Sequence, residues 1–497
     1  MSDRFTRRGF LVGAGASALL ATQACANAPS TSLRPVARGA SLGRAAEARA
    51  LIDAANLGGH VAFAVFDPRS GRVLEAQDPD RQLPPASVAK AITALYALDR
   101  LGPAHRFRTR ILATAPVSGG VLQGDLILAG GGDPVLETDD LDALARQLAT
   151  LGLRELRGRF LVWGGALPYL REIDPQQPDH VGYNPAVAGL ALNFNRVHFE
   201  WRRSGNGYTT SMDARSARLR PAVQVARMTV VARDLPVYGY AQRGNIEEWS
   251  VARSALGQSG SRWLPVRRPA LYAADVFRTL TRGHGVRLPE PQEISQLPGS
   301  PRQLAVHDSP PLREILRDML RFSNNMTAEM VGLAASGASG GMPATLRASA
   351  RDMSRWAQSA LGMERVDLVD HSGLGDASRV SVAALGQAMV AAHRDDRLRP
   401  ILRQFPLRDG QGKVVSNHPI RVDAKTGTLN FVSGLGGYMT TPGGTELAFA
   451  IISADLRSRD GIARADREAP RGAREWARRS RQLQQALIER WGAVYNG

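Results

Sequence analysis

The stretch LPPASVAKAITALYALDRLGP, residues 83–103, sets a serine and a lysine three residues apart at the start of an apolar segment. Pro84-Pro85 ends an extended run and suits the first turn of a helix. Ala91, Leu95 and Leu98 then recur at helical spacing, and Leu101-Gly102-Pro103 closes the segment. Ser87 and Lys90 therefore share one face in the first turns of a buried helix. The lysine is conspicuous: of 63 basic residues only Lys90, Lys413 and Lys425 are lysines, and 60 are arginines. Surface charge, helix ends and anion contacts are all served by arginine. What arginine cannot do is lose its proton, whereas a lysine ammonium, ordinarily near ~10.4, shifts readily on burial or beside another cation. A nucleophile beside a general base accounts for the pair; the plain alternative is that three lysines survive a composition bias.

Two further motifs follow in order, Ser323-Asn324-Asn325 and Lys425-Thr426-Gly427-Thr428, so two of the three lysines lie within the set. A serine hydroxyl is a poor nucleophile until a neighbouring base takes its proton, and a neutral Lys90 supplies that base. Lys425, a second cation, is expected to depress the Lys90 pKa and to offer a positive site for a substrate carboxylate. Ser323 can relay a proton toward a leaving amine, while the Asn325 amide can hold a substrate carbonyl and the Lys90 side chain. Backbone N–H groups of Ser87, at a helix N-terminus, and of Thr428, on an edge strand, suit an oxyanion hole. Each motif alone also fits an ordinary helix start, polar cap or bulged strand; the ordered triple is far more specific.

The 497 residues allow two or three domains, and 43% hydrophobic content is ordinary for a globular chain. A formal charge of +17 raises nucleic-acid binding, but the arginines are scattered and neither zinc spacing nor aromatic-basic interleaving occurs. A solvated basic surface is the better reading, compatible with approach to anionic cell wall or a membrane face. Arg7-Arg8, Phe10-Leu11 and a short apolar run resemble a twin-arginine export signal over residues 1–26, with Ala24-Cys25-Ala26 a small-residue cleavage site. Periplasmic export is expected, and Cys25, the sole cysteine, leaves with the signal unless it is lipidated.

After a linker, VAFAVFDPRSGRVLEAQD reads as a hairpin turning at Pro68-Arg69-Ser70-Gly71. Residues 106–269 read as an inserted, strand-rich region with one helix near DLDALARQLATLG. Helices return from 270, and GLGGYMTTPGGTELAFAIISADL is a second hairpin turning at Pro442-Gly443-Gly444. Trp476, Leu483, Leu487 and Trp491 form one apolar face of a basic C-terminal helix, read as packing on the core rather than on a membrane.

With these motifs the chain resembles the D-alanyl-D-alanine carboxypeptidase/endopeptidase family of low-molecular-mass penicillin-binding proteins, of the type with a large insert after the nucleophile helix. The likeness runs through DPDRQLPPASVAKAITALYALDRLG, GDLILAGGGDPVL, VGYNPAVAGLALNFNRV, LRFSNNMTAEM and AKTGTLNFVSGLGGYM, with 236 residues from Ser87 to Ser323. It implies an α+β, β-lactamase-like catalytic domain from 35–105 and 270–497, an antiparallel sheet flanked by helices, with two nested β-rich domains inserted over 106–269. It also implies Ser87 as acylated nucleophile, Lys90 as base, Ser323 and Asn325 as second motif, and Lys425, Thr426, Gly427 and Thr428 as the substrate-binding strand. Implied too are peptidoglycan stem peptides as substrate, acylation by β-lactams, and no cofactor or metal. Two departures stand out: Asp376 in DHSGLGD replaces an arginine that many relatives use for the diaminopimelate side chain, and Trp163-Gly164 stand where those relatives place an acid. A serine β-lactamase shares the triad, but the long insert and lack of an extra deacylating carboxylate motif weigh against it. A silent wall-binding scaffold would not retain Ser87, Lys90 and Lys425. His371 reads as a neutral packing histidine.

Overall fold

The computed structural model describes residues 38–496, so the expected export segment 1–26, with Arg7, Arg8 and Cys25, lies outside the described residues. A first unit, Met1–Ala50, enters only through the start of helix Arg38–Ala55; the remainder is the second, Leu51–Gly497.

At the centre of the second unit is a six-stranded antiparallel sheet. Its strand order is Arg403–Gln404, Arg421–Leu429, Val432–Thr440, Glu446–Ala454, His60–Phe66 and Val73–Gln77. Both expected hairpins are in it, at 60–77 and 432–454. Strands Val432–Thr440 and Glu446–Ala454 are buried at nearly every position because layers cover both faces. Alternate side chains face opposite ways. Phe63 and Phe449 meet Trp491 of helix Ala473–Val494, at 5.5 and 5.8 Å between ring centroids. Ala62, Ala64, Ala448 and Ala450 meet the helices of the other layer. Trp476, Leu483, Leu487 and Trp491 are all buried, so the C-terminal helix packs on the core as read. Among the described residues no helix is long and apolar enough to cross a membrane.

Helix Ala89–Leu101 runs through that second layer with residues 89–97 all buried, as a helix apolar on every side must be. It packs against helix Asn325–Gly340, which carries Asn325, and against helix Leu312–Phe322, which ends at Ser323.

The inserted region differs from expectation in its far boundary. A five-stranded sheet, ordered Pro291–Glu293, Phe160–Trp163, Leu126–Ala129, Arg108–Ala113 and Arg302–Asp308, draws its two outer strands from beyond residue 270. Helix Pro269–Gly283, read as the return to the catalytic body, instead shares a core with helix Thr138–Thr150: Tyr272 and Phe277 pack with Leu144, Leu148 and Phe160. The main core resumes at Leu312. Amphipathic pattern identifies such a helix but not the sheet it will cover, which long-range pairing decides. Three three-stranded sheets complete the insert among the described residues, centred on Val121–Leu122, Arg196–Ser204 and Ile246–Ala252.

One edge of the main sheet positions the site. The two-residue strand Arg403–Gln404 pairs only with Ala424 and Asp423. From Lys425 to Leu429 the outer edge of strand Arg421–Leu429 has no strand beside it among the described residues.

Candidate active site

Ser87 lies in a short 3-10 turn, Ala86–Val88, at the mouth of helix Ala89–Leu101. The turn is forced tight: Ala86 adopts φ +48°, a region where an L side chain costs on the order of 1–3 kcal/mol. Neighbouring glycines make room for it. A Cβ on Gly373 would sit 1.9 Å from the Ala86 carbonyl oxygen, and one on Gly427 would lie 2.9 Å from both the Pro85 oxygen and the Ser87 nitrogen. Gly427 is therefore glycine because its strand crosses directly over the Ser87 turn, which brings Thr428 beside Ser87.

Lys90 is fully buried, and its Nζ meets three oxygens: Ser87 Oγ at 2.8 Å, Asn325 Oδ1 at 2.7 Å and the Ser372 carbonyl at 2.8 Å. The last two only accept, so they take two N–H bonds. A neutral amine has one lone pair left, and it faces the Ser87 hydroxyl. Burial brings the Lys90 pKa down to about 7, against the pull of the Glu329 and Asp370 carboxylates. Desolvation, rather than Lys425, is thus the main cause, which corrects the expectation from the sequence. The cation repulsion is felt at Lys425, which burial first, then Lys90 and Arg403, hold well below the usual lysine range.

Lys425 Nζ donates to Ser323 Oγ at 3.0 Å and to the Thr426 carbonyl at 2.6 Å. Ser323 has φ +57° and terminates helix Leu312–Phe322, while Asn324 caps the next helix by accepting from Thr327 N at 3.0 Å. The cap reading of this motif holds. Asn325 Nδ2 donates to the Tyr183 carbonyl at 3.0 Å, tying the insert to the centre of the site. Of the predicted residues, Ser87, Lys90 and Asn325 form one hydrogen-bonded group and Ser323 and Lys425 an adjoining one. The exposed Thr426 and Thr428 lie on one side of the bare strand edge, separated by the buried Gly427.

A cavity of about 300 Å³ opens on Ser87, Ser323, Asn325 and Thr428, with Gln177 and Tyr183 from the insert in one wall and Arg459, Arg467 and Glu468 beyond Asn430. Trp163 and Gly164 are not in it; Trp163 Nε1 donates to the Ser295 carbonyl, and Gly164 lines a separate cleft. Asp376 binds Arg459 and Arg467, so the positive charge absent from position 376 is present in its two partners. Glu468 is held ionised, its pKa brought down to about 2 by hydrogen bonds from His180 and Arg262.

A family model for the D-Ala-D-Ala carboxypeptidase 3 (S13) family matches residues 45–473. The chain belongs to this family. It is 32% identical over 460 residues to the D-alanyl-D-alanine carboxypeptidase of Actinomadura sp. (strain R39), covering 82% of each chain. It is also 22% identical over 419 residues to the D-alanyl-D-alanine carboxypeptidase DacB of Haemophilus influenzae, covering 79% of this chain and 85% of that one. The fold matches the crystal structure of penicillin binding protein 4 (dacB) from the same organism with a TM-score of 0.70 at 20% identity, over 88% of this chain and 98% of that one. The present chain is accordingly a serine D,D-peptidase acting on peptidoglycan, with the α+β penicillin-binding fold.

Several residues of the peptidase site escape motif reading. Glu329 and Asp370 are buried under Lys90, and burial raises both carboxyl pKa values. Glu329 accepts the N–H groups of His371 and Ser372, and Asp370 those of Gly373 and Gly375, so together they fix the loop whose Ser372 carbonyl binds Lys90. The available signal was an acid inside the otherwise apolar run MTAEMVGLAA. His371 is buried with its pKa pushed down to about 3 and its Nε2 on Ser349 Oγ, the neutral packing histidine expected.

Proposed function

We propose that the peptidase acts through an acyl-enzyme on Ser87, with Lys90 as base. The observation that carries this reading is the Lys90 amine, desolvated to a pKa of about 7 and set 2.8 Å from Ser87 Oγ with its N–H bonds already committed. Lys90 takes the Ser87 proton as Oγ bonds to the carbonyl carbon of the penultimate D-Ala. Negative charge gathers on the carbonyl oxygen, facing the N–H groups of Ser87 and Thr428. The C–N bond then breaks, and the proton taken up by Lys90 passes to the leaving amine through Ser323, which Lys425 hydrogen-bonds, leaving Lys90 neutral again. Lys425, Thr426 and Thr428 hold the leaving carboxylate. Water, losing a proton to Lys90, afterwards bonds to the acyl carbon; the C–Oγ bond breaks, and Lys90 returns the proton to Ser87 Oγ.

On the acyl side, Arg459 and Arg467 face a carboxylate of the stem-peptide side chain and Glu468 its ammonium, relocating the contacts that residues 163, 164 and 376 do not make. Glu468 is a poor candidate for the fast deacylating base of a β-lactamase: both its oxygens are bonded, and its low pKa leaves it weakly basic. β-Lactams are expected to acylate Ser87 stably; a Haemophilus influenzae penicillin binding protein 4 of the same fold has been crystallised with a novel β-lactam. Cross-link hydrolysis beside D-Ala removal, the two nested domains within 108–308, a peripheral wall or membrane contact and twin-arginine export to the periplasm belong to the same reading. Arg7-Arg8 supports the export route and the net charge of +17 the surface contact. Incubation with a pentapeptide muropeptide tests it: wild-type protein releases D-Ala and Ser87→Ala does not, whereas equal release by both removes Ser87 from the mechanism.

A further inference from the structure

A second, larger groove of about 790 Å³ begins at Thr426, on the same side of the bare strand edge as Thr428 and further toward the start of the strand. Thr428, two residues along the same strand, lines the cavity. Two residues in a strand span about 6.6 Å, the length of one dipeptide repeat. A substrate laid along Lys425–Leu429 as an added strand thus runs from the cavity into the groove.

The groove is built of arginine. Arg321, Arg403, Arg408 and Arg481 all line it, and none of the four makes an ion pair among the described residues. All four are exposed. Arg478, also in the wall, is paired with Glu475. Of the two acids in the lining, Asp409 accepts the N–H groups of Gln411 and Lys413, and Glu489 accepts from Gln485. Arg408 donates one Nη to the Gly412 carbonyl at 2.7 Å, and the net result is a basic lining whose four guanidinium groups free of ion pairs favour carboxylates.

Direction along the edge says which part of a substrate arrives there. Lys425 and Ser323, which serve the leaving amine and its carboxylate, adjoin the groove: Ser323 lines the cavity, Lys425 bonds to it from between the groove residues Ala424 and Thr426, and the groove's Arg321 is two residues before Ser323. A free terminal D-Ala ends at Lys425 and Thr426 and needs nothing beyond. When the scissile bond is a cross-link, the leaving amine belongs to a second stem peptide that continues past Thr426 and carries further carboxylates. We propose that this arginine groove binds the amine-bearing stem peptide of cross-linked substrate, an extended peptide with several carboxylates, and so directs the peptidase to cross-links. The inference rests on the acyl-enzyme reading of Ser87.

The test is a double variant, Arg408→Gln/Arg481→Gln, compared with wild type on a purified cross-linked muropeptide dimer and on an uncross-linked pentapeptide monomer. The expected result is a fall of about tenfold or more in the ratio of kcat/KM for dimer cleavage to kcat/KM for D-Ala release, with a weaker salt dependence of dimer cleavage. An unchanged ratio, or equal loss on both substrates, overturns the proposal. So does loss of retention on a polyanion column with the ratio intact, which makes the groove a general polyanion site. Benzylpenicillin acylation of both proteins is measured alongside: normal acylation with an unchanged ratio refutes the groove alone, whereas no acylation of wild type refutes the Ser87 reading on which it stands.

Discussion

In the proposed mechanism burial converts Lys90 from an ordinary cation into a base. At pH 8 most of it is neutral, and below its pKa of about 7 it is protonated. Acylation by a slow β-lactam should therefore fall about tenfold per pH unit below an apparent pKa near 7, as read from stopped-flow rates; a profile flat down to pH 5 argues against a lysine base. Lys90→Met, which keeps the aliphatic stem, should slow acylation on the order of 10³-fold. Glu329 raises the Lys90 pKa through its charge. Glu329→Gln should then move the acid limb to lower pH, besides lowering Tm by freeing one of two backbone N–H groups. A lower Tm with an unmoved limb makes Glu329 purely structural. Ser87 and Lys90 are legible in the sequence because one helical turn links them. Glu329 is not, because its role exists only once residues 370–375 fold over it.

Elements position these residues through close backbone approaches. Strand Arg421–Leu429 crosses the Ser87 turn at Gly427, where any side chain meets the Pro85 oxygen and Ser87 nitrogen at 2.9 Å. Neither atom is the flexible end of a side chain, so Gly427→Ala should push strand and turn apart. Acylation is expected to drop roughly 100-fold, of the order seen when one oxyanion donor is lost, with the far-UV spectrum preserved. Wild-type rates in this variant mean that the strand need not approach so closely. The hairpins around residues 68–71 and 442–444 can be read directly from turn chemistry, because their pairing is local. Helix Pro269–Gly283 is legible as a helix, but its layer is not, since its partners are set by contacts with residues 144–160.

For the whole molecule, the main sheet is a platform clamped between the C-terminal helix and the layer containing helix Ala89–Leu101. Trp491 is a large, fully buried side chain of that clamp, packed against Phe63 and Phe449 on the face away from the site. Trp491→Ala should cost about 3–5 kcal/mol of unfolding free energy, visible as a lower urea midpoint, while the protein that remains folded acylates at the wild-type rate. An unchanged midpoint contradicts the clamp. The arrangement of cavity, bare strand edge and arginine groove is the least legible feature at this scale. Arg321, Arg403, Arg408 and Arg481 are scattered over 160 residues among 60 arginines, and only the fold selects them.

The measurement that bears most directly on the central claim is intact mass after brief exposure to benzylpenicillin, followed by peptide mapping. The site geometry predicts one penicilloyl group per chain, located on the peptide containing Ser87 and missing from Ser87→Ala. An adduct on another residue, or rapid loss of penicillin with no adduct, contradicts it.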